Sequence, residues 1–226
     1  MTISELIISN KSKYLAVAIL IGGKSTRFGS DKGLYEFQHK PLISYQLDTL
    51  SKIITDIFLV AHSKKQVQDY INKIDLNKIM AFLIDDVEIV QDQNLHTPMR
   101  GLYTCFKELK KLNYEKVLTL ACDIPLIQQN VIELIIEQSK GYDCCIPKWN
   151  NGFLEPLFAI YNIKKSYYKA KENLKKGNLK LITLLDNKWK INYLSIERSI
   201  KKLDNTLKSF FNVNQFNDIE KLIKYY

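Results

Sequence analysis

The chain has 226 residues, 46% of them hydrophobic and 25% charged, with a formal net charge of +9. This length can bury most of its apolar surface in one domain without staples, and no apolar run approaches the roughly 20 residues that span a bilayer, so a membrane is not an expected partner. The positive charge suits a polyanionic small molecule, whereas the basic residues are dispersed, densest from Lys164 to Lys180, with no aromatic ladder between them, so nucleic acid is not an expected partner either.

The amino end, residues 1–13, lacks the basic start and long apolar centre of a secretory signal and is expected to be a short extension of a cytoplasmic protein. From Tyr14 a continuous apolar run leads to Ile21, which predicts a strand buried on both faces, as in a parallel sheet covered by helices. It passes into a loop with Gly22, Gly23, Gly29 and Gly33 and the cations Lys24, Arg27 and Lys32. Glycines let the backbone approach a ligand, backbone N–H groups can ring an anion, and the cations neutralise charge, so this loop is a candidate phosphate site. Its spacing is neither the dinucleotide pattern, since Gly22 and Gly23 are adjacent, nor an ATPase phosphate loop, whose first glycine would fall on Ala18.

Pro41 suits the first turn of a helix carried on by Leu42, Ile43, Tyr45, Leu47, Leu50 and Ile54. Asp56 to Ala61 is a second buried strand, and Lys64 to Ile74 an amphipathic helix. Ile79 to Val90 is ambiguous, because IMAFLI and VEIV each read as a strand; a strand is expected to end just before Asp92. The polar segment Asp92 to Gly101 precedes a helical pattern through Leu102, Cys105, Phe106, Leu109 and Leu112, and a helix start again suits an anion. Lys116 to Cys122 is the next buried strand, followed by Asp123-Ile124-Pro125, a helix through Val131 to Gln138, and a short strand over Tyr142 to Pro147.

Alternating strands and helices over residues 14–147 predict an α/β, Rossmann-like sheet, mainly parallel, with helices on both faces. Ligands of such sheets sit at carboxyl ends of strands, where Gly22, Asp92 and Asp123 are all expected. Beyond residue 147 come the apolar run EPLFAIY, one or two basic helices over Ser166 to Leu185, a strand at Lys190 to Ile196 and a final helix FNDIEKLIKYY. No linker marks a second domain, so 1–226 reads as one unit, with residues 148–226 a substrate-binding elaboration of the sheet built by 14–147. The four cysteines lack a C-x-x-C spacing and read as reduced, buried thiols. No exposed apolar stripe stands out, and a monomer is expected.

Asp123, directly after an apolar strand, is placed to bind a magnesium ion that also holds triphosphate oxygens, although an aspartate before x-Pro also caps turns. Read from Leu20, the pattern L-x-G-G-x-S-x-R-x-G-x-D-K, with Gly33-Leu34, Lys40-Pro41-Leu42 and Cys122-Asp123-Ile124-Pro125, resembles the molybdenum cofactor guanylyltransferases, nucleotidyltransferases of glycosyltransferase-A-like fold. Pro98 to Gly101, Glu155-Pro156-Leu157 through Tyr161, and Asn212-Val213-Asn214 resemble further segments of that family. The resemblance implies GTP and molybdopterin as substrates, Mg2+ at Asp123, and molybdoenzyme maturation proteins as partners. It implies nucleotide contacts at Leu20, Ile21, Gly22, Gly23, Lys32, Asp92, Gly101 and Asp123, and catalytic roles for Arg27, Lys32 and Asp123. Lys148, Glu155, Asn212 and Asn214 are candidate acceptor contacts. The sequence departs from the family at Thr97, Ile21 and Val60-Ala61-His62, where many members place an asparagine near the base. A cytidylyl- or guanylyltransferase acting on another phosphorylated acceptor would share the loop and Asp123, and a non-catalytic nucleotide-binding regulator remains a reading of another class.

Overall fold

The computed structural model describes residues 13–22, 31–86 and 97–225. Strand β1, Lys13–Leu20, divides two cores. Val17, Ile19 and Ile21 are buried on one face, Ala16, Ala18 and Leu20 on the other, which is the alternation that a strand covered on both sides requires. A two-stranded ribbon follows, β2 (Glu36–Phe37) with β3 (Lys40–Pro41). Its turn residues Gln38 and His39 have φ of 48° and 62°, the left-handed pair that a two-residue hairpin demands.

The chain continues through α1 (Leu42–Leu50), β4 (Ile57–Ala61), α2 (Lys64–Ile71) and β5 (Ala81–Ile84). After α3 (Pro98–Lys111) come β6 (Tyr114–Ala121), α4 (Gln129–Gln138), β7 (Cys144–Lys148) and β8 (Phe158–Asn162). The last elements are α5 (Ile163–Lys175), β9 (Ile191–Ser195) and α6 (Phe216–Ile223). Among the described residues seven strands form one sheet in the order β5-β4-β1-β6-β8-β7-β9. The run β5-β4-β1-β6 is parallel, β8 is antiparallel to both β6 and β7, and β9 is parallel to β7. Helices α1, α2 and α4 cover one face with Leu47, Tyr70 and Ile132, and α3 and α5 cover the other with Phe106 and Ala170. A smaller cluster of Phe37, Leu42, Leu126, Val213 and Leu222 ties α6 to the ribbon.

Several expectations are corrected. Pro41 does not enter the first helical turn: it pairs with Glu36 in the ribbon and lies extended, at φ −57° and ψ 139°, just before α1. Helix α1 stops at Leu50, short of Ile54, and α2 at Ile71. In the ambiguous stretch Ala81–Ile84 is a strand, while Val87 to Val90 and Asp92 lie outside the described residues. The basic segment is one helix, α5, that begins earlier than expected and is followed by a short turn at Leu181–Leu184. The cysteines are free, and burial pushes the Cys145 thiol up to about 12. No helix among the described residues is long and apolar enough to cross a membrane.

On the outer side of α1, Asp48 bridges Lys40 of β3 and Lys78. Partial burial opposes its ionisation, but hydrogen bonds and charge from the two lysines outweigh it and hold the carboxyl below its usual range. A depressed carboxyl adds stability above its unfolded pKa and loses it as pH falls through the folded value. Asp48→Asn should therefore cost under about 1 kcal/mol near pH 7, because the group is partly solvated and screened. In urea melts run from pH 7 to pH 3, the difference from the parent should shrink towards zero at the acid end.

Candidate functional site

Strand order reverses direction at β1. The chain builds outward through β4 and β5 and then returns to β6 on the other side of β1, and this switch point opens a crevice beyond the strands' carboxyl ends. Leu20 stands opposite Ala121, and Cys122 N–H donates to Leu20 O at 3.3 Å, so Gly22 and Asp123 leave the sheet side by side.

The backbone around Asp123 is fixed from both sides. Gln46, fully buried on α1, donates from Nε2 to Ala121 O at 2.7 Å and to Ile124 O at 2.9 Å. Val213 N–H donates to Asp123 O at 2.8 Å. Of the side-chain oxygens, Oδ2 lies 3.4 Å from Lys32 Nζ, and Oδ1 is buried with no hydrogen-bond partner among the described residues. Burial raises the carboxyl above its ordinary range, opposed by the Lys32 ammonium and a backbone hydrogen bond. A buried acceptor left unmatched is costly, on the order of 1–3 kcal/mol, and such an oxygen suits a cation.

Lys32 also donates to Asn214 Oδ1 at 2.7 Å. Asn214 is itself held by its N–H on Asp218 Oδ2, at 2.9 Å, within the first turn of α6. On the other side Lys32 is set by its neighbour Asp31. Asp31 Oδ1 accepts from Gly33 N–H at 3.0 Å and from the Tyr70 hydroxyl at 2.6 Å, and Oδ2 accepts from Gln66 Nε2 at 2.6 Å. Gln66 Nε2 donates as well to Ile21 O at 2.8 Å, and its Oε1 accepts from His62 N–H at 3.0 Å. Burial, with Cys122 and Asp31 nearby, pushes the Tyr70 phenol well up, so it stays a neutral donor. This buried network joins the end of β1, the start of α2 and the lysine turn. Glycine is required at Gly33 because a Cβ there would lie 2.2 Å from Tyr70 Oη.

Two clefts lie at this end of the sheet, one at the end of β1 and one at the end of β6. One is lined by Leu20, Gly22, Val60, His62, Asp85, Thr97, Pro98 and Gly101. Here α3 starts close against β1, since a Cβ on Gly101 would lie 3.3 Å from Leu20 Cδ2. Thr97 caps α3, and Arg100, fully buried, donates from Nε to Asp85 Oδ2 at 3.1 Å. The other cleft, about 270 Å3, is lined by polar groups of Asp123, Glu155, Ser209, Asn212 and Asn214 and by apolar Leu157, Phe158, Leu181 and Phe210. Burial raises the Glu155 carboxyl, opposed by the hydrogen bond from Trp149.

The structure thus places Leu20, Gly22 and Gly101 in one cleft and Asp123, Glu155, Asn212 and Asn214 in the other, with Lys32 bonded to Asp123 and Asn214. Ile21 is placed differently from expectation: its side chain is in the core, its N–H donates to Val60 O, and its carbonyl is taken by Gln66. Lys148 is exposed and does not line the cleft; its ammonium lies 5.4 Å from the centre of the Tyr193 ring. Gly23, Arg27 and Asp92 lie outside the described residues. Gln46, Gln66 and Tyr70 are site-supporting residues that the sequence reading missed. The available signal was a glutamine on the apolar stripe of each of two helices.

No group of three or more His, Cys, Asp or Glu side chains able to hold a metal is present among the described residues. A magnesium ion commonly takes one or two carboxylates and completes its shell with substrate phosphates and water. A single carboxylate with one orphaned oxygen, Asp123, fits that mode.

Residues 17–188 match the family described as MobA-like NTP transferase domain. A probable molybdenum cofactor guanylyltransferase from Pyrococcus horikoshii is 33% identical over 211 residues, covering 91% of this chain and 97% of the relative. One from Thermococcus gammatolerans is 35% identical over 215 residues, covering 92% and 98%. Among solved structures, the molybdopterin-guanine dinucleotide biosynthesis protein A of Archaeoglobus fulgidus superposes with a TM-score of 0.73 at 23% identity, covering 93% of this chain and 97% of its own, a likeness of fold.

The Asp31 network makes a stability prediction. Tyr70→Phe removes one donor and should cost about 1–2 kcal/mol. Gly33→Ala should cost more, through the clash with Tyr70 Oη. The two costs should not add, because removing the hydroxyl relieves the closest contact. A double-mutant cycle from urea midpoints checks this, and strict additivity would show that the hydroxyl does not hold the turn.

Proposed function

Because the chain belongs to the MobA-like NTP transferase domain family, we propose that it is a molybdenum cofactor guanylyltransferase. It moves GMP from GTP to the terminal phosphate of metal-loaded molybdopterin, forming the guanine dinucleotide and releasing pyrophosphate. The observation that carries this reading is the Lys32–Asp123 pair, with Asp123 in the wall of the cleft at the β6 end and the other cleft at the end of the neighbouring strand β1.

In this reading GTP enters the cleft at Gly22 and Gly101, with its phosphates towards Lys32 and Asp123. Gly23, Arg27 and Asp92 complete the nucleotide contacts. A carboxylate in that cleft, Asp85, complements the N1–H and N2–H donors of guanine and disfavours the acceptor edge of cytosine. The acceptor lies in the second cleft, with Asn212 and Asn214 near its phosphate. Residues 14–147 and 148–226 then act as nucleotide and acceptor halves of one unit, taken as a monomer that hands its product to molybdoenzyme maturation proteins in the cytoplasm.

An oxygen of the acceptor's terminal phosphate attacks the α-phosphorus of GTP. The bond from that phosphorus to the oxygen bridging to the β-phosphorus breaks, and its electron pair leaves on pyrophosphate. The nucleophile is already anionic at neutral pH, so no general base is needed, and the barrier is repulsion between two polyanions. Lys32 lowers it: its ammonium, held between Asn214 and Asp123, is a compact charge suited to phosphate oxygens. Magnesium held by Asp123 and the triphosphate would neutralise charge as a Lewis acid. The rigid backbone of the 121–124 turn keeps the reacting groups aligned without reorganisation.

Pyrophosphate release, measured with each of the four nucleoside triphosphates and magnesium, should require both GTP and metal-loaded molybdopterin. Release with CTP and a sugar or polyol phosphate instead would move the function to another acceptor within the same fold. Lys32→Ala and Asp123→Asn should each lower the rate by about 10²-fold or more while circular dichroism and cooperative unfolding persist. Near-normal turnover in either variant would refute the role given to that residue.

A further inference from the structure

The second cleft holds a group that phosphate chemistry does not explain. Glu155 lines the same cleft as Asp123, yet among the described residues it has no cationic partner. Its side-chain hydrogen bond is the one that Oε1 accepts from Trp149 Nε1 at 2.7 Å. A lone carboxylate repels a phosphate, and a cleft built only to receive one would not carry it. It attracts a neutral ring that presents N–H donors, and a carboxylate accepts two parallel donors in a fork.

Beside Glu155 the cleft offers an aromatic surface. Phe210 is fixed edge-to-face by Trp149, with ring centres 5.5 Å apart at 65°, and by Phe158, at 5.0 Å and 77°. The turn that carries Phe210 is held by buried Asp204, which accepts from Lys208 N–H at 3.0 Å and Ser209 N–H at 2.8 Å. Three residues further on, Val213 N–H is bonded to Asp123 O, so the turn that carries Phe210 is tied to the backbone of Asp123. A flat heterocycle packed on Phe210 would have one edge at Glu155 and its substituents directed along the cleft to Asp123.

We infer that Glu155 reads the N2-amino and N3–H edge of the acceptor's pterin ring, with Phe210 against the ring face and Trp149 fixing the carboxylate. The inference rests on the guanylyltransferase reading for the identity of the acceptor. Guanine carries the same donor edge. The guanine is assigned to the other cleft, where Gly22 and Gly101 lie, so the two rings are read separately by Asp85 and Glu155.

The test uses the intact protein and two small probes, 6-hydroxymethylpterin and its 2-oxo counterpart 6-hydroxymethyllumazine, whose C2 carbonyl would face the carboxylate. Fluorescence titration of the wild type should show the pterin bound about 10- to 100-fold tighter than the lumazine. Glu155→Gln should abolish that preference while leaving the Kd for GTP unchanged. Trp149→Phe, which keeps an aromatic ring and removes the N–H, should weaken the preference. Equal binding of the two probes by the wild type, binding of neither, or a Glu155→Gln variant that discriminates as well as its parent would overturn the proposal. Loss of GTP affinity with pterin affinity intact would also overturn it, by showing that the edge read is guanine's. Pyrophosphate release separates the two levels. Release from GTP with molybdopterin but no pterin preference refutes the role of Glu155 alone, whereas no release refutes the guanylyltransferase reading and this inference with it.

Discussion

The register of β1 against β6 is the constraint on which the site depends. With Leu20 opposite Ala121 and both strands parallel, the two loops that leave their carboxyl ends are neighbours by construction. The strands can lie there only because both faces are covered, and both faces are covered because each strand alternates between two cores. Small residues at Ala16 and Ala18 accompany the close seating of α3, whose start on Gly101 shapes the first cleft. Packing deep in the sheet therefore sets the position of groups at its rim.

At that rim, polar side chains taken from helices do the work that loops alone could not. Gln46 satisfies two carbonyls of the Asp123 turn, and Gln66 ties Ile21 to Asp31. Each is a buried amide, costly if left unmatched, and each satisfies backbone groups that the end of a strand exposes. The Asp123 carboxylate is treated differently. One oxygen is shared with Lys32 and the other has no partner among the described residues, so the site keeps an unmet demand for positive charge. A carboxylate with every lone pair matched by the protein would be more stable and would have less to offer a ligand.

How much of this was legible in sequence follows from which interactions are local. The apolar runs at β1, β4 and β6 and the spacing of α1 to α4 are local signals, and they place Gly22 and Asp123 at strand ends. The β2–β3 ribbon was hidden because its turn is made by Gln38 and His39, side chains that seldom take positive φ, and no glycine announces it. Pro41 misled for the same reason: its fixed φ fits both a helix start and an extended residue, and the unseen ribbon decided between them. The Gln46, Gln66 and Tyr70 contacts span distant parts of the chain, so periodicity reads such residues as core or surface and cannot read what they touch. Lys148 is a candidate by its position in the chain alone, and the direction in which its side chain leaves β7 takes it to Tyr193.

The two clefts solve one recognition problem with different means. The first is the smaller, with Gly101 seated close on Leu20, and its carboxylate is backed by a fully buried arginine. The pairing of Arg100 with Asp85 compensates charge inside the fold, and a buried pair of this kind contributes orientation more than stability. The second cleft is wider and aromatic, and its carboxylate is held by an indole N–H in place of a cation. An arginine beside Glu155 would neutralise it and would also attract the phosphate end of an acceptor, giving that molecule two ways to lie in the cleft. A neutral donor leaves the negative charge in place, so in the proposed reading a phosphate would be directed away from Glu155 and towards Lys32. Repulsion at one end and attraction at the other fix the direction of a long, polyanionic substrate, and that direction decides which of its oxygens reaches the α-phosphorus.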